Sequence, residues 1–254
     1  TMVSNKGSMT PGLDGKILEN NDKSKIEMLK ELRKWRNRKP SPLKRIYIPK
    51  EDGKMRPISI PSIIDRMIQQ LFLLVLDPVV EARSDSYSFG FRKGRSQIMA
   101  IGGIQKKLQS KVREKVISEG YIWDADIRKC FDTINHAWLM KETPIPNKFK
   151  YILKGWLEAG YVEFGSEQIL ETKEGVPQGG IISPLLMNVC LNGLEDLLVE
   201  SMEEYKKGTR TAAIRKREID GLRLSIKHVG KTGKYKERAI DLKLIRYADD
   251  FIVI

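Results

Sequence analysis

The chain has 254 residues, 41% hydrophobic and 31% charged, enough apolar material for one large domain or two subdomains beneath a well-solvated surface. Its longest unbroken apolar run, residues 71–76, is far too short to cross a bilayer, and no apolar leader opens the chain; Cys130 and Cys190, its two cysteines, cannot build a disulfide framework, so the sequence argues against a membrane or secreted protein and fits a reducing compartment. Lys plus Arg outnumber Asp plus Glu by 46 to 33, a net charge of +13, which points to a polyanionic partner, nucleic acid before a membrane surface.

Residues 1–24 are polar, with turn signals at Pro11-Gly12 and Asp14-Gly15, and read as a terminal arm. The spacing predicts a helix over 25–39, closed by Pro40. Residues 43–49 alternate as a strand, Lys50-Glu51-Asp52-Gly53-Lys54 reads as a turn, and Arg56-Pro57-Ile58-Ser59-Ile60-Pro61 as the returning strand of a hairpin with basic residues on both limbs. Ser62 is an N-cap candidate with Asp65 three residues on, opening an apolar helix to about residue 80 that Pro78 is expected to interrupt. Residues 83–97 read as a basic loop and 98–118 as a basic helix.

Tyr121-Ile122-Trp123-Asp124-Ala125-Asp126-Ile127 reads as a buried strand carrying two acids. Ser183-Pro184 opens a second helix, expected to run to Lys206-Lys207 with Gly208 just past its end. A charged, irregular insertion follows over about 205–240. Residues 239–254 read as two apolar strands around Tyr247-Ala248-Asp249-Asp250. Mixed helices and short strands make the class α+β. Residue 1 is Thr and the strand-like Phe251-Ile252-Val253-Ile254 ends the sequence, so the chain is expected to be part of a longer one.

Asp249 and Asp250 interrupt an apolar stretch, where carboxylates are unfavourable unless paired or bound to a cation. Alone, the pair reads first as a solvated hairpin turn, ahead of a catalytic site. Asp126 closes another apolar strand. Three such carboxylates together make a hard-oxygen site suited to Mg²⁺, and two ions in such a site can promote in-line phosphoryl displacement. Spacing alone does not bring them together.

Here the motifs become recognisable. Tyr247-Ala248-Asp249-Asp250 resembles the catalytic hairpin of reverse transcriptases, and Asp126-Ile127-Arg128-Lys129-Cys130-Phe131-Asp132 resembles their first palm motif. Gly175-Val176-Pro177-Gln178-Gly179-Gly180-Ile181-Ile182-Ser183-Pro184 resembles the loop and helix between them. Pro11-Gly12-Leu13-Asp14-Gly15, Arg56-Pro57-Ile58-Ser59-Ile60-Pro61, Ser88-Phe89-Gly90-Phe91-Arg92-Lys93-Gly94-Arg95-Ser96 and Phe131-Asp132-Thr133-Ile134-Asn135-His136 are similar to the group II intron branch, whose members also act as maturases. The motifs span nearly the whole chain in the family's order.

The resemblance implies a right-hand polymerase fold, with fingers over 1–118, including an N-terminal RNA-binding extension, and palm over 119–254, whose antiparallel sheet packs on helices. The thumb is missing from this stretch. Asp126, Asp249 and Asp250 are implied as catalytic residues and metal ligands for two Mg²⁺ ions, with Mn²⁺ as a substitute. Lys50 and Arg56 would reach the incoming triphosphate, Phe131 would lie under the sugar as a steric gate, and Gln178 would line the nucleotide pocket. Arg92, Lys93 and Arg95 would meet template phosphates. The implied partners are group II intron RNA, an RNA template with a DNA primer, and dNTPs. No membrane is implied and a homodimer is compatible. The implied location is the bacterial cytoplasm or an organelle's matrix or stroma. Two other readings stand beside this one: a splicing cofactor that only binds RNA, and a retron-type reverse transcriptase.

Overall fold

The computed structural model describes residues 6–51, 53–113, 122–206, 218–219, 222–223 and 243–254. By packing, the chain divides into two compact units, one of residues 1–82 and 131–190, the other of 83–130 and 191–254. The units interleave along the sequence.

In the first unit, α1 (Asp22–Arg33) starts where the Asn21 side chain accepts the Ser24 N–H. It is followed by a 3-10 turn at Trp35–Asn37, so the expected helix over 25–39 begins and ends earlier. Strands β1 (Leu43–Pro49) and β2 (Met55–Ile60) form the predicted hairpin, in register from Lys44↔Ile60 to Pro49↔Met55. Helix α2 (Ile63–Arg83) is capped as read, with the Ser62 hydroxyl accepting the Asp65 N–H at 3.1 Å and donating to its carboxylate at 2.7 Å.

Pro78 does not interrupt α2. Its ring removes one donor, and the residue four positions back, Leu74, is 55% exposed, so solvent can satisfy the released carbonyl.

The second unit continues the chain with α3 (Gln97–Arg113) and β3 (Trp123–Asp126). Residues 114–121, the rest of the predicted helix and the start of the predicted strand, lie outside the described residues. The apolar pattern predicts a buried strand. Instead Trp123, Asp124 and Asp126 are exposed, because β3 is an edge strand of its sheet. The first unit resumes with α4 (His136–Glu142) and α5 (Lys150–Leu157), then β4 (Tyr161–Glu163) and β5 (Ile169–Leu170). These strands extend the hairpin into a sheet of order β2-β1-β4-β5, with β4 parallel to β1. Helix α4 packs on α5 and on α6 (Ser183–Cys190). Ile134, Leu139, Leu153, Leu157, Leu186 and Met187 are fully buried in this unit.

The helix predicted from Ser183 to Lys207 is two helices, α6 and α7 (Leu194–Lys206). Gly193 breaks it at φ +81, and both Asp85 carboxylate oxygens accept the Gly193 N–H at 3.1 Å. Of the insertion, β6 (Glu218–Ile219) and β7 (Leu222–Arg223) pair antiparallel; its other residues past 206, Gly208 among them, lie outside the described residues. The last strands, β8 (Leu244–Tyr247) and β9 (Asp250–Val253), complete an antiparallel sheet of order β3-β9-β8. Helix α3 packs on β8, and Phe89, Ala100, Ile245 and Ile254 form a buried cluster there. Among the described residues no helix is long and apolar enough to cross a membrane.

Candidate active site

The expected residues fall into two groups, one in each unit. In the second unit, antiparallel pairing does what spacing alone does not: it sets Asp126 directly opposite Asp250. Residues directly opposite in such a pair share one sheet face, with β-carbons roughly 4.5–5.5 Å apart. The Ile127 N–H donates to the Asp249 carbonyl at 3.2 Å, fastening the strand end to the turn. Asp124 lies two residues before Asp126 on β3 and so faces the same way.

The acids act on one another. Partial burial pushes the Asp250 carboxyl above its ordinary value, and the negative charges of Asp249, Asp126 and Asp124 push it further. Among the described residues no three acidic, histidine or cysteine side chains form a ready-made metal shell. The donor set nonetheless fits a hard divalent cation: carboxylate oxygens only, those of Asp124, Asp126 and Asp250 on one sheet face and that of Asp249 in the adjoining turn, with mutual repulsion that a cation would relieve. Coordination by a few carboxylates, completed by water and substrate phosphates, needs no closed protein cage.

Arg246, on β8, is almost fully buried at 1% exposure. Its Nη1 donates to the Ala248 carbonyl at 2.9 Å, so a guanidinium inside the sheet grips the turn from which Asp249 and Asp250 project.

In the first unit, the β1–β2 turn is closed by the Lys50 N–H donating to the Lys54 carbonyl at 2.7 Å. Ile48, Pro49, Lys50, Glu51, Arg56 and Ile58 line an open concavity of about 600 Å³. Arg56 Nε donates to Gln178 Oε1 at 2.9 Å, and Gln178 Nε2 makes a long contact of 3.5 Å to the Asp132 carboxylate. The Gln178 backbone is fixed as well, its carbonyl accepting the Ser59 N–H at 2.6 Å. Gly179 sits at φ +117, where a β-carbon would come within 2.7 Å of the Ser59 carbonyl oxygen. Only glycine lets the loop run this close to β2.

Phe131 is tied to the same loop. Its carbonyl accepts the Val176 N–H at 2.7 Å, and the Ile134 carbonyl accepts the Gly175 N–H at 2.7 Å. The His136 imidazole adds a third link, Nε2 to the Gly175 carbonyl at 2.7 Å. Arg56, Phe131 and Gln178 are therefore one bonded assembly. Lys50 shares the concavity with Arg56.

The basic loop divides differently. Arg92 is buried, and its Nη1 donates to the Asp85 and Ser88 carbonyls at 2.6 and 2.7 Å. Arg95 is half-buried, donating to the Ser86 carbonyl at 2.6 Å. Lys93 is exposed. Sequence reading passed over Asp132, His136 and Arg246. A charged residue inside the apolar run Leu244-Ile245-Arg246-Tyr247 was the one available signal for Arg246; Asp132 and His136 lie in the 131–136 motif, which by itself assigns neither a role.

The family model described as "Reverse transcriptase (RNA-dependent DNA polymerase)" matches residues 48–254. The chain is 34% identical over 206 residues to Protein YkfC of Escherichia coli (strain K12), covering 78% of this chain and 52% of that one. It is 29% identical over 282 residues to Group II intron-encoded protein LtrA of Lactococcus lactis subsp. cremoris, covering 99% of this chain and 45% of the other. To the Putative COX1/OXI3 intron 1 protein of Saccharomyces cerevisiae it is 29% identical over 268 residues, covering 98% and 31%. The chain thus spans about half, or less, of these relatives' lengths.

Proposed function

Because the chain belongs to the reverse transcriptase (RNA-dependent DNA polymerase) family, with an α+β fold of the fingers–palm type, we propose that this protein is the RNA-directed DNA polymerase of a group II intron. In this reading it copies intron RNA into DNA for mobility and assists splicing as a maturase. Relatives named as an intron-encoded protein and an intron protein, aligned over 99% and 98% of the chain, support the intron branch. The observation that carries the chemistry is the strand register: Asp126 stands opposite Asp250, and Asp249 is hydrogen-bonded to the residue after Asp126.

Polymerases of this family use divalent metal ions. We assign Asp126, Asp249 and Asp250 as the residues that would hold Mg²⁺, two ions with Mn²⁺ as a substitute. When bound, such ions supply the positive charge that offsets charge on the attacking and leaving oxygens. The reaction joins the primer 3′ oxygen to the α-phosphorus of a dNTP, breaks the α–β phosphate bond and releases pyrophosphate.

The chain's own groups orient that exchange. Arg56 presents a planar fork to the triphosphate and Lys50 a point charge beside it. Gln178 holds Arg56 and lines the nucleotide pocket. The Phe131 ring fills the space a 2′-hydroxyl would need, which selects deoxynucleotides by clash. Lys93 and Arg95 contact template phosphates, while Arg92 shapes the loop that presents them. Fingers over 1–118 and palm over 119–254 belong to this proposal, as do intron RNA, an RNA template and a DNA primer as partners and a bacterial or organellar site of action.

The test is Mg²⁺-dependent extension of a DNA primer on an RNA template by the full-length protein, with Asp249→Ala as control. Deoxynucleotide incorporation that disappears in the variant is expected. No extension, with tight and salt-sensitive binding of structured RNA, would replace this reading by that of a splicing cofactor.

A further inference from the structure

The acids project from a turn that its own residues do not favour. Tyr247 and Asp250 pair across the hairpin, leaving Ala248 and Asp249 as a two-residue loop. Ala248 sits at φ +61, at a first central position where glycine is the usual occupant. A Gly-led loop holds this geometry unaided; Ala-Asp does not. Something outside the hairpin must hold it.

Residues 87–90 are placed to do so. The Arg246 N–H donates to the Tyr87 carbonyl at 2.9 Å, and the Phe89 N–H donates to the Arg246 carbonyl at 2.8 Å. Ser88 and Arg246 form a parallel bridge, so this segment lies along the free edge of β8. Gly90 then passes directly against the turn: a β-carbon there would fall 2.1 Å from the Ala248 nitrogen, 2.8 Å from its Cα and 2.9 Å from its Cβ. The usual residues are exchanged, with alanine in the turn and glycine in the chain beside it.

The segment is itself anchored. Arg92 Nη1 ties together the Asp85 and Ser88 carbonyls, and the Asp85 carboxylate accepts the Gly193 N–H. The buried Arg246 guanidinium reaches from β8 to the Ala248 carbonyl.

We infer that residues 87–90 are a buttress that sets the position of the acid-bearing hairpin, with Gly90 and Arg246 as positioning residues for the carboxylates. The inference rests on the reading of Asp126, Asp249 and Asp250 as a divalent-cation site. Its mechanical half, that Gly90 and Arg246 hold the turn, stands on the contacts alone. A methyl group at position 90 must displace the turn by roughly an ångström, and a misplacement of that size can lower turnover about 100-fold.

The experiment compares Gly90→Ala and Arg246→Lys with Gly102→Ala in the full-length protein. Gly102 lies on α3 in the same unit, and a β-carbon added there would meet nothing within 4 Å, so it is the control for a methyl group that meets no neighbour. Three readouts are taken: amide hydrogen exchange over residues 247–251, Mn²⁺ affinity by titration, and kcat with KM for dNTP. Gly90→Ala is expected to speed exchange in the hairpin at least about tenfold over wild type, and Gly102→Ala not to speed it. Gly90→Ala is expected to weaken Mn²⁺ about tenfold and lower kcat about 100-fold, with KM for dNTP within twofold of wild type. Wild-type exchange and Mn²⁺ affinity in a folded Gly90→Ala protein would overturn the inference. Should Gly90→Ala fail to fold, Arg246→Lys decides by the same criteria, since lysine keeps the charge but loses the fork that reaches Ala248. A wild-type protein that extends no primer removes the polymerase reading; hairpin exchange in the variants then decides the buttress by itself.

Discussion

The contact between Arg56 and Gln178 makes a quantitative prediction about nucleotide binding. Gln178 Oε1 accepts the Arg56 Nε–H at 2.9 Å, and Gln178 Nε2 faces the Asp132 carboxylate at 3.5 Å. The amide therefore has one favoured orientation, because flipping it would set its oxygen against a carboxylate and its NH₂ against a guanidinium. A hydrogen bond to a charged group contributes about 1.5–3 kcal/mol when well shielded. This one is exposed, which lowers it toward the about 0.2–1 kcal/mol of exposed ion pairs. A coupling of about 1 kcal/mol corresponds to roughly a fivefold change in an equilibrium constant. The perturbation is a double-mutant cycle of Arg56→Ala and Gln178→Ala, read as KM for dNTP in primer extension. Each single variant is expected to raise KM, and the double variant to raise it about fivefold less than the product of the two. Asp132→Asn, which frees the amide to flip, should reproduce about a twofold part of the Gln178→Ala effect. Strict additivity within about 0.3 kcal/mol would refute the view that Gln178 acts through Arg56.

Phe131→Val should open room beneath the sugar and raise ribonucleotide incorporation relative to deoxynucleotide at least about tenfold, checked by single-nucleotide extension with each substrate. The Asp250 carboxyl is raised in the folded chain above its ordinary value of 3.8, so the folded state holds this proton more tightly than the unfolded one. That contribution is greatest below the unfolded value and is lost as pH rises through the folded one. Asp250→Asn should therefore keep or raise the metal-free melting temperature relative to wild type at pH 8, and remove the rise that Mn²⁺ produces in wild type; a metal-free fall would contradict the account. Gly102→Ala, in an exposed helical position with no neighbour to meet its β-carbon, should stabilise by about 0.5–1 kcal/mol, or about 1–4 °C in Tm for a chain of this size. Lys93→Gln should reduce the salt slope of RNA binding by about one contact, whereas Arg92→Gln should leave the slope unchanged and lower Tm, as measured by titrations at several salt concentrations and by thermal melting.

The legible parts of the fold are those whose signals are local. The Lys50-Glu51-Asp52-Gly53-Lys54 turn between two alternating runs marks the β1–β2 hairpin, and Ser62 with Asp65 marks the start of α2. Strands β4 and β5 have three and two residues, too few for any periodicity, and β4 exists because β1 offers it an edge. The break between α6 and α7 depends on Asp85, more than a hundred residues away, meeting the Gly193 N–H. Asn192-Gly193 is a turn signal, but the apolar residues on either side of it carry the same helical pattern.

The candidate site shows the same division more sharply, and the arginines show why. Residue type and motif order identify Asp126, Asp249 and Asp250, because carboxylates in apolar strands are unfavourable wherever the strands fold. Arginine carries no such signal: in a basic chain, exposure is the default reading for each one. Yet Arg66, Arg92 and Arg246 are buried. Arg66 donates to the Gly7 and Thr10 carbonyls, Arg92 to those of Asp85 and Ser88, and Arg246 to that of Ala248. Each ties down a short turn or loop through its carbonyls, two of which, those of Gly7 and Asp85, also accept a backbone N–H. A guanidinium suits this work because five fixed donors can reach several carbonyls at once and the charge persists at any physiological pH. The net charge of +13 therefore overstates the surface available to a polyanion: part of it lies inside, holding the terminal arm, the 83–97 loop and the acid-bearing hairpin in place. For a nucleic-acid enzyme this separates two roles that composition merges, the charge that meets phosphate and the charge that shapes the loops presenting it.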